Sequence, residues 1–269
     1  MVSRSQKKEA AKLVTPVIGE RRACKITGIS RTAYRHKKMI KDQELRNLIY
    51  EIAMKHRKYG YRQIHRYVSK TNIVNIKKIY RIYLEMGLKY RIKNRKKRIQ
   101  LNQIPIRLPN NSNIRWSMDF MSDSLYDGRR FRILNIIDDF SREAVKMKVG
   151  FSITGFQLVR IFEKLKSLRK LPDQIVVDNG PEFTSKIFLR WASENNVDIH
   201  FIEKGKPTQN AFVESFNGKV RTECLNEHWF KNIHEAENII ENWRTYFNTE
   251  RLHSSLNGLS PLEYFEKTA

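Results

Sequence analysis

The chain has 269 residues, with 52 Lys and Arg against 28 Asp and Glu, giving a formal net charge of +24. Its 40% apolar and 11% aromatic content can build a core, which excludes disorder of the whole chain and puts the excess charge on folded surfaces. No apolar run nears the ~18 residues of a spanning helix and the N-terminus lacks a signal-peptide apolar stretch, while Cys24 and Cys224 lie far apart outside any Cys/His cluster. The expectation is a soluble, intracellular protein with free thiols, without a disulfide scaffold or a zinc finger.

The charge is unevenly spread. Residues 1–100 carry 29 Lys and Arg against 6 Asp and Glu, and the rest of the chain carries 23 against 22. A block of that charge calls for a polyanion, and nucleic acid is the commonest one inside a cell. The densest run, Tyr90 to Arg98, contains Arg95 and Lys97 and is followed by a Pro- and Asn-containing stretch, Pro105 to Asn113. That stretch reads as a linker, so the chain divides into 1–40, 41–100, a linker at 101–113 and a remainder from 114 onward. A solvated charged segment is the plainer reading of the run, and a membrane surface is disfavoured because no basic amphipathic anchor accompanies it.

Residues 20–38 place Ala23, Ile26, Ile29, Ala33 and Tyr34 at helical spacing around Gly28. Gly28 can take the left-handed conformation that ends one helix, and Ser30 can cap the next, whose outward residues include Arg31 and Arg35. This predicts a helix-turn-helix within 1–40; an ordinary helical hairpin with solvated cations fits the same pattern. In 41–100, Leu45, Leu48, Ile49, Ile52 and Ala53 form one apolar stripe, Tyr59-Gly60-Tyr61 breaks it, and Ile64, Tyr67 and Val68 form another. Asn75 is placed to cap a further helix that buries Ile79, Ile82 and Tyr83. The polar faces carry Arg62, Arg66, Lys77, Lys78 and Arg81, of which Arg62 and Lys77 are candidate DNA contacts.

After the linker, Trp116–Phe120, Phe131–Ile137 and Ala144–Val149 fit three short strands, the first two joined by a hairpin turn at Asp127-Gly128. A helix carrying Phe156, Val159, Ile161, Phe162 and Leu165 comes next. A strand Gln174–Asp178, a helix over about 184–195, a strand Asp198–Ile202 and a long helix from about Gln209 to Cys224 complete an α/β core at 114–225. Residues 226–269 read as its helical extension.

Two carboxylates fall in otherwise apolar strands, Asp119 and Asp178, where an unpaired charge is costly unless it binds a metal. Glu214 sits on the long helix, with 35 residues between it and Asp178. Hard divalent cations prefer oxygen ligands, and a pair of them serves phosphoryl transfer, so three acids from separate elements would suffice. Taken singly, such acids are most often surface charge, caps or ion-pair partners, and Asp138 and Asp139 read as turn or cap residues.

Four motifs in order set the trio apart: Trp116-Ser-Met-Asp119, Val177-Asp-Asn-Gly-Pro-Glu-Phe183, Asn210-Ala-Phe-Val-Glu-Ser-Phe-Asn-Gly218 and Trp243-Arg-Thr-Tyr-Phe-Asn-Thr-Glu-Arg-Leu-His-Ser-Ser-Leu256. From about Arg21 to Phe265 the chain resembles the second-reading-frame proteins of insertion-sequence transposases, in the group named after insertion sequence three. Their core is similar to that of retroviral integrases. The resemblance implies a ribonuclease-H-like core with a mixed five-stranded sheet and helices, preceded by an all-α helix-turn-helix DNA-binding region. It implies Asp119, Asp178 and Glu214 as catalytic ligands of two Mg²⁺ or Mn²⁺ ions, and DNA strand cleavage and transfer in which one element end is first joined to the other.

The family tends to carry a basic residue seven positions after the glutamate, here Arg221, two helical turns on and facing the same way, with Lys219 close by. The plainer reading of Arg221 is an ion pair with a surface acid. Gly205 to Asn210 is expected to form a mobile loop, and Lys206 and Gln209 in it join Asn179 as candidate DNA contacts. Implied partners are the element's terminal inverted repeats, target DNA, further copies of the chain on DNA and an upstream-frame product fused by frameshift, in a cytoplasmic, nucleoid-associated setting without a membrane. The chain departs from retroviral integrases in lacking a His/Cys zinc site, and it shows no sustained heptad repeat. A DNA-binding regulator that has lost catalysis, or a nuclease on RNA–DNA hybrids, are the rival readings.

Overall fold

The computed structural model describes residues 4–35, 42–89, 108–203 and 210–268. Two compact units divide between Tyr90 and Arg91. Arg95 and Lys97, Lys206 and Gln209, and most of the expected linker and mobile loop lie outside the described residues.

The first unit is helical. Helices α1 (Arg4–Ile18), α2 (Glu20–Thr27) and α3 (Arg31–Arg35) bury Ala11, Cys24, Ile29 and Ala33 together, with Tyr34 packed against them. Gly28 ends α2 with φ 63° and ψ 36°, the left-handed region that favours glycine. The Ser30 hydroxyl accepts a hydrogen bond from the Ala33 N–H at 3.1 Å, capping α3. Ile26, expected on the apolar stripe, is exposed instead. The stripe of α2 is centred on Ala23 and Cys24, because α1, which no sequence signal marks, packs there.

Helices α4 (Asp42–Lys55), α5 (Tyr61–Thr71) and α6 (Ile76–Glu85) bury Leu45, Ile49 and Ala53, then Ile64 and Val68, then Ile79, Ile82 and Tyr83. Each set recurs at helical spacing, so one face of each helix is apolar. Asn75 caps α6 by accepting from the Lys77 N–H at 2.8 Å.

The second unit is built on a five-stranded mixed sheet in the order β3-β2-β1-β4-β5. Strands β1 (Arg115–Ser124), β2 (Arg130–Asp138) and β3 (Ala144–Gly150) are antiparallel neighbours, and β4 (Gln174–Val177) and β5 (Asp198–Phe201) run parallel to β1. The Asp127-Gly128 turn closes the β1–β2 hairpin, with Gly128 at φ 84°. Because side chains alternate along a strand, Trp116, Met118 and Phe120 point to one face and Asp119 and Met121 to the other. The first face is covered by α7 (Gly155–Lys166) and α8 (Lys186–Glu194), which contribute Leu158, Phe162, Phe188 and Trp191. The second is covered by α9 (Ala211–Glu223) and α10 (Ile233–Thr249), through Val213, Phe216, Val220, Ile240 and Phe247. Helix α11 (Pro261–Thr268) closes the chain.

Phe156, expected on the apolar face of α7, is exposed. The buried face of that helix is Gly155, Leu158, Phe162 and Leu165, and Phe156 falls beside it. Asp138 accepts from the N–H groups of Asn113, Phe140 and Ser141, as a turn residue should. Asp139, expected to be a turn or cap residue as well, is a buried ion-pair partner: it accepts from Arg115 Nε at 2.6 Å and from the Ser117 hydroxyl at 2.7 Å. Burial pushes its carboxyl up. Among the described residues no helix is long and apolar enough to cross a membrane.

Where α7 begins, Gly155 lies against the residue before α8: a Cβ on it would come 2.7 Å from the Ser185 Cβ and 2.0 Å from its Oγ. Gly155→Ala is expected to destabilise this unit by about 1–3 kcal/mol, read as a lowered denaturant midpoint. An unchanged midpoint would show that Ser185 moves aside freely.

Candidate active site

Strand register builds the site. Ser117 of β1 pairs with Val176 of β4 in parallel, so two residues further along each chain Asp119 comes level with Asp178, just past the end of β4. Glu214 enters from above, on the first turn of α9, where an acid is favoured by the helix dipole. The other two carboxylates act on Asp119: it is raised to about 6, first by burial and then by the charges of Asp178 and Glu214, against hydrogen bonds from the Phe120 N–H and Asn217. Burial also raises Glu214. As the side chains are oriented, no three Asp, Glu, His or Cys groups among the described residues form a ready coordination shell.

Each acid has its own support. Asp178 Oδ1 accepts from the Gly180 N–H at 2.9 Å. A Cβ on Gly180 would stand 2.9 Å from that same oxygen and 3.3 Å from Glu182 Oε2, so a larger residue there would push the Asp178 carboxylate aside. Glu182 pairs with Arg132 of β2, whose guanidinium lies 4.0 Å over the Phe120 ring, and Phe120 stacks on Phe183 at 5.2 Å. The residues around Asp178 are thereby tied to the sheet on both sides of Asp119.

Three asparagines, two of them inside the third motif but without a role assigned from the sequence, connect α9 to the strands. Buried Asn210 donates to the Met118 carbonyl at 3.2 Å, one residue before Asp119. Asn217 donates to Asp119 Oδ2 at 2.7 Å, and buried Asn135 of β2 donates to Asn217 Oδ1, also at 2.7 Å. Two signals could have found this chain: Asn135 interrupts an apolar strand, and Asn217 lies one helical turn after Glu214.

The candidate DNA contacts are disposed differently. Arg221 donates to Asp123 Oδ2 at 2.8 Å and to the Ser122 carbonyl at 2.6 Å, so β1 already holds it. Lys219 donates to the Ser215 hydroxyl at 3.3 Å and is lowered to about 8 by burial, then by the neighbouring charge of Arg251. Asn179 is exposed and donates to the Ile202 carbonyl at 3.0 Å. In the first unit, Arg31 and Arg35 both bond Glu20 from exposed positions, while Arg62 lies over the Tyr61 ring and Lys77 is exposed.

The chain is matched by known sequences. Two integrase core domain models match residues 109–207 and 195–261, and an HTH-like domain model matches residues 41–97. An insertion element IS407 protein of 31.7 kDa from Burkholderia multivorans is 41% identical over 93% of this chain and 91% of its own length. The transposase InsK named for insertion element IS150 of Escherichia coli is 26% identical over 88% and 89%. Among solved structures, a chain of the simian T-cell lymphotropic virus intasome superposes with a TM-score of 0.54 at 13% identity, over 81% of this chain and 74% of that one. This last likeness concerns fold alone. The chain belongs to the family of insertion-element transposases that carry an integrase core.

Two outcomes test the geometry. Asp119 has a folded-state pKa above its usual value of 3.8, so its ionised form opposes folding and stability is lost as pH rises from about 4 through about 6. With divalent ions chelated, Asp119→Asn is expected to exceed the wild type in stability at pH 7.5 by about 1–2 kcal/mol, solvent screening on the open side included. That margin should shrink as the pH falls to 4, followed by chemical denaturation; a margin independent of pH would refute the burial argument. Asn217→Ala should lower strand cleavage by about 10–100-fold while leaving DNA affinity unchanged.

Proposed function

We propose that this transposase cuts and joins DNA strands at the ends of its element through Asp119, Asp178 and Glu214, which hold two divalent cations, magnesium or manganese. The observation that carries the reading is the raised Asp119 carboxyl, pushed to about 6 by burial and by the other two acids. A buried carboxylate whose charge is opposed by two neighbouring acids suits a hard cation, whose binding would favour its ionised form. Bound there, such ions would supply Lewis-acid stabilisation of the attacking and leaving oxygens.

The chain's own residues position and orient. Asn217, oriented by Asn135, holds the Asp119 carboxylate; Gly180 holds that of Asp178; and Asn210 ties the start of α9 to β1. Water attacks the phosphodiester at the element end and frees a 3′ hydroxyl. That hydroxyl then attacks a second phosphodiester, so one bond forms as another breaks and no covalent enzyme intermediate is needed. Arg221, Lys219 and Asn179, with Lys206 and Gln209, contact the strand near the acids. Arg31, Arg35, Arg62, Lys77, Arg95 and Lys97 bind duplex phosphates of the terminal repeat. Handling two element ends calls for at least two copies on DNA, and an upstream-frame fusion supplies further DNA binding.

The test is cleavage and joining of a labelled duplex bearing the element's terminal repeat, with Mg²⁺ or Mn²⁺, by the chain alone and by its upstream-frame fusion. Asp119→Asn, Asp178→Asn and Glu214→Gln are each expected to lower joined product by at least about 10³-fold with affinity for the repeat retained. Product from Asp119→Asn at the wild-type level would overturn the assignment. Repeat binding without cutting, by the chain and by the fusion alike, would favour a regulator.

A further inference from the structure

The acidic site and its basic neighbours leave one exposed feature without a role. Tyr126, in the hairpin turn after β1, and Trp229, in the loop before α10, are 78% and 84% exposed. Their ring centroids are 6.5 Å apart in an edge-on arrangement. The backbones that carry the rings are tied together: the Tyr126 N–H donates at 2.8 Å to the carbonyl of Phe230, the residue after Trp229. The adjoining Leu125 and Phe230 are buried, and Phe230 meets Phe131 edge-on at 5.6 Å. Two large rings kept in water on a fixed backbone are organised in advance for a ligand with a flat apolar face.

Their place along β1 indicates which ligand. From Asp119 the strand passes Asp123, which holds Arg221, and reaches Tyr126 seven residues on. At ~3.3 Å per residue the Tyr126 backbone lies at most about 23 Å from that of Asp119, a span that a strand of about seven nucleotides covers even at the ~3.4 Å rise of stacked DNA. Exposed Arg129, Arg130 and Lys231 flank them, and cations interleaved with aromatic rings suit a single strand, whose bases stack without regard to sequence. The area argues against a protein partner. Two such side chains bury at most ~500 Å² on one side, short of the ~800 Å² per partner of a standard interface.

We propose that Trp229 and Tyr126 form a stacking platform for unpaired bases of the DNA strand that runs past the acidic site, an inference that rests on the DNA-cutting reading above. Trp116, Trp191 and Trp243 are buried, so acrylamide-accessible tryptophan emission reports Trp229. The full chain is titrated, with divalent ions chelated, against a blunt duplex and the same duplex carrying a seven-thymidine tail. The tail is expected to quench that emission, shield it from acrylamide and tighten binding by about ten-fold. Trp229→Phe should lose the optical signal and keep the preference. The double variant Trp229→Ala, Tyr126→Ala should lose the preference but keep its affinity for the blunt duplex and its thermal midpoint. Saturation by the tailed duplex with unchanged emission would overturn the platform alone, and binding to neither duplex would overturn the DNA-cutting reading with it. Shielding that grows with protein concentration in the absence of DNA would assign the rings to a contact between copies instead.

Discussion

Repulsion between carboxylates at a half-buried strand is the constraint around which the second unit is arranged. Asp119 faces α9 from the middle of the sheet, where burial disfavours its charge and two further acids disfavour it again. The fold meets this with oriented amides. Asn135 donates to the carbonyl oxygen of Asn217, which leaves the Asn217 amino group pointing at Asp119. An amide in the opposite orientation would set oxygen against oxygen. The bonds oppose burial and the two neighbouring acids without cancelling them, so the Asp119 carboxyl stays above its usual value.

The three acids come from parts of the chain far apart in sequence, and the mixed sheet is what unites them. β1 is the strand where the antiparallel and parallel halves meet, so it has β2 with Asn135 on one side and β4 with Asp178 beyond its end on the other. Asn210 ties the start of α9 to the Met118 carbonyl, which brings Glu214 over the same strand. Rigid elements thus set all three positions, and the tight turn at Gly180 supplies what a strand end alone would not.

Much of this is legible from residue types with one strong local meaning. Gly28 and Ser30 mark the turn between α2 and α3 because a left-handed cap and a hydroxyl cap are local chemistry, and Asn75 marks α6 for the same reason. The strands show as short apolar runs between turn residues. Relations across the sheet are less accessible. The Asn135–Asn217–Asp119 chain spans residues 82 and 98 positions apart, and no periodicity within one element reports such a contact. Helical spacing alone predicts that Arg221 faces the same way as Glu214; that Asp123 engages it depends on how α9 crosses β1. Ile26 and Phe156 escape a reading that equates hydrophobicity with burial, because the packing partner decides which flank of a stripe is covered.

The ion pairs sort the basic residues by how readily each can be recruited. In the first unit Glu20 takes Arg31 and Arg35, Asp42 takes Lys78 and Arg81, and Glu85 takes Arg46 and Arg81. These pairs are exposed and screened by solvent, so each contributes little to stability, and a phosphate can replace the carboxylate at little cost. In the core, Arg115 with Asp139 and Arg251 with Glu223 are largely shielded from solvent. Removing one partner there would leave a buried charge at about 3–5 kcal/mol, which commits those arginines to the fold. Arg221 lies between the two cases: Asp123 holds it, yet its side chain remains partly open to solvent. It is therefore held in a fixed orientation without being enclosed by the structure, which suits the DNA contact proposed for it.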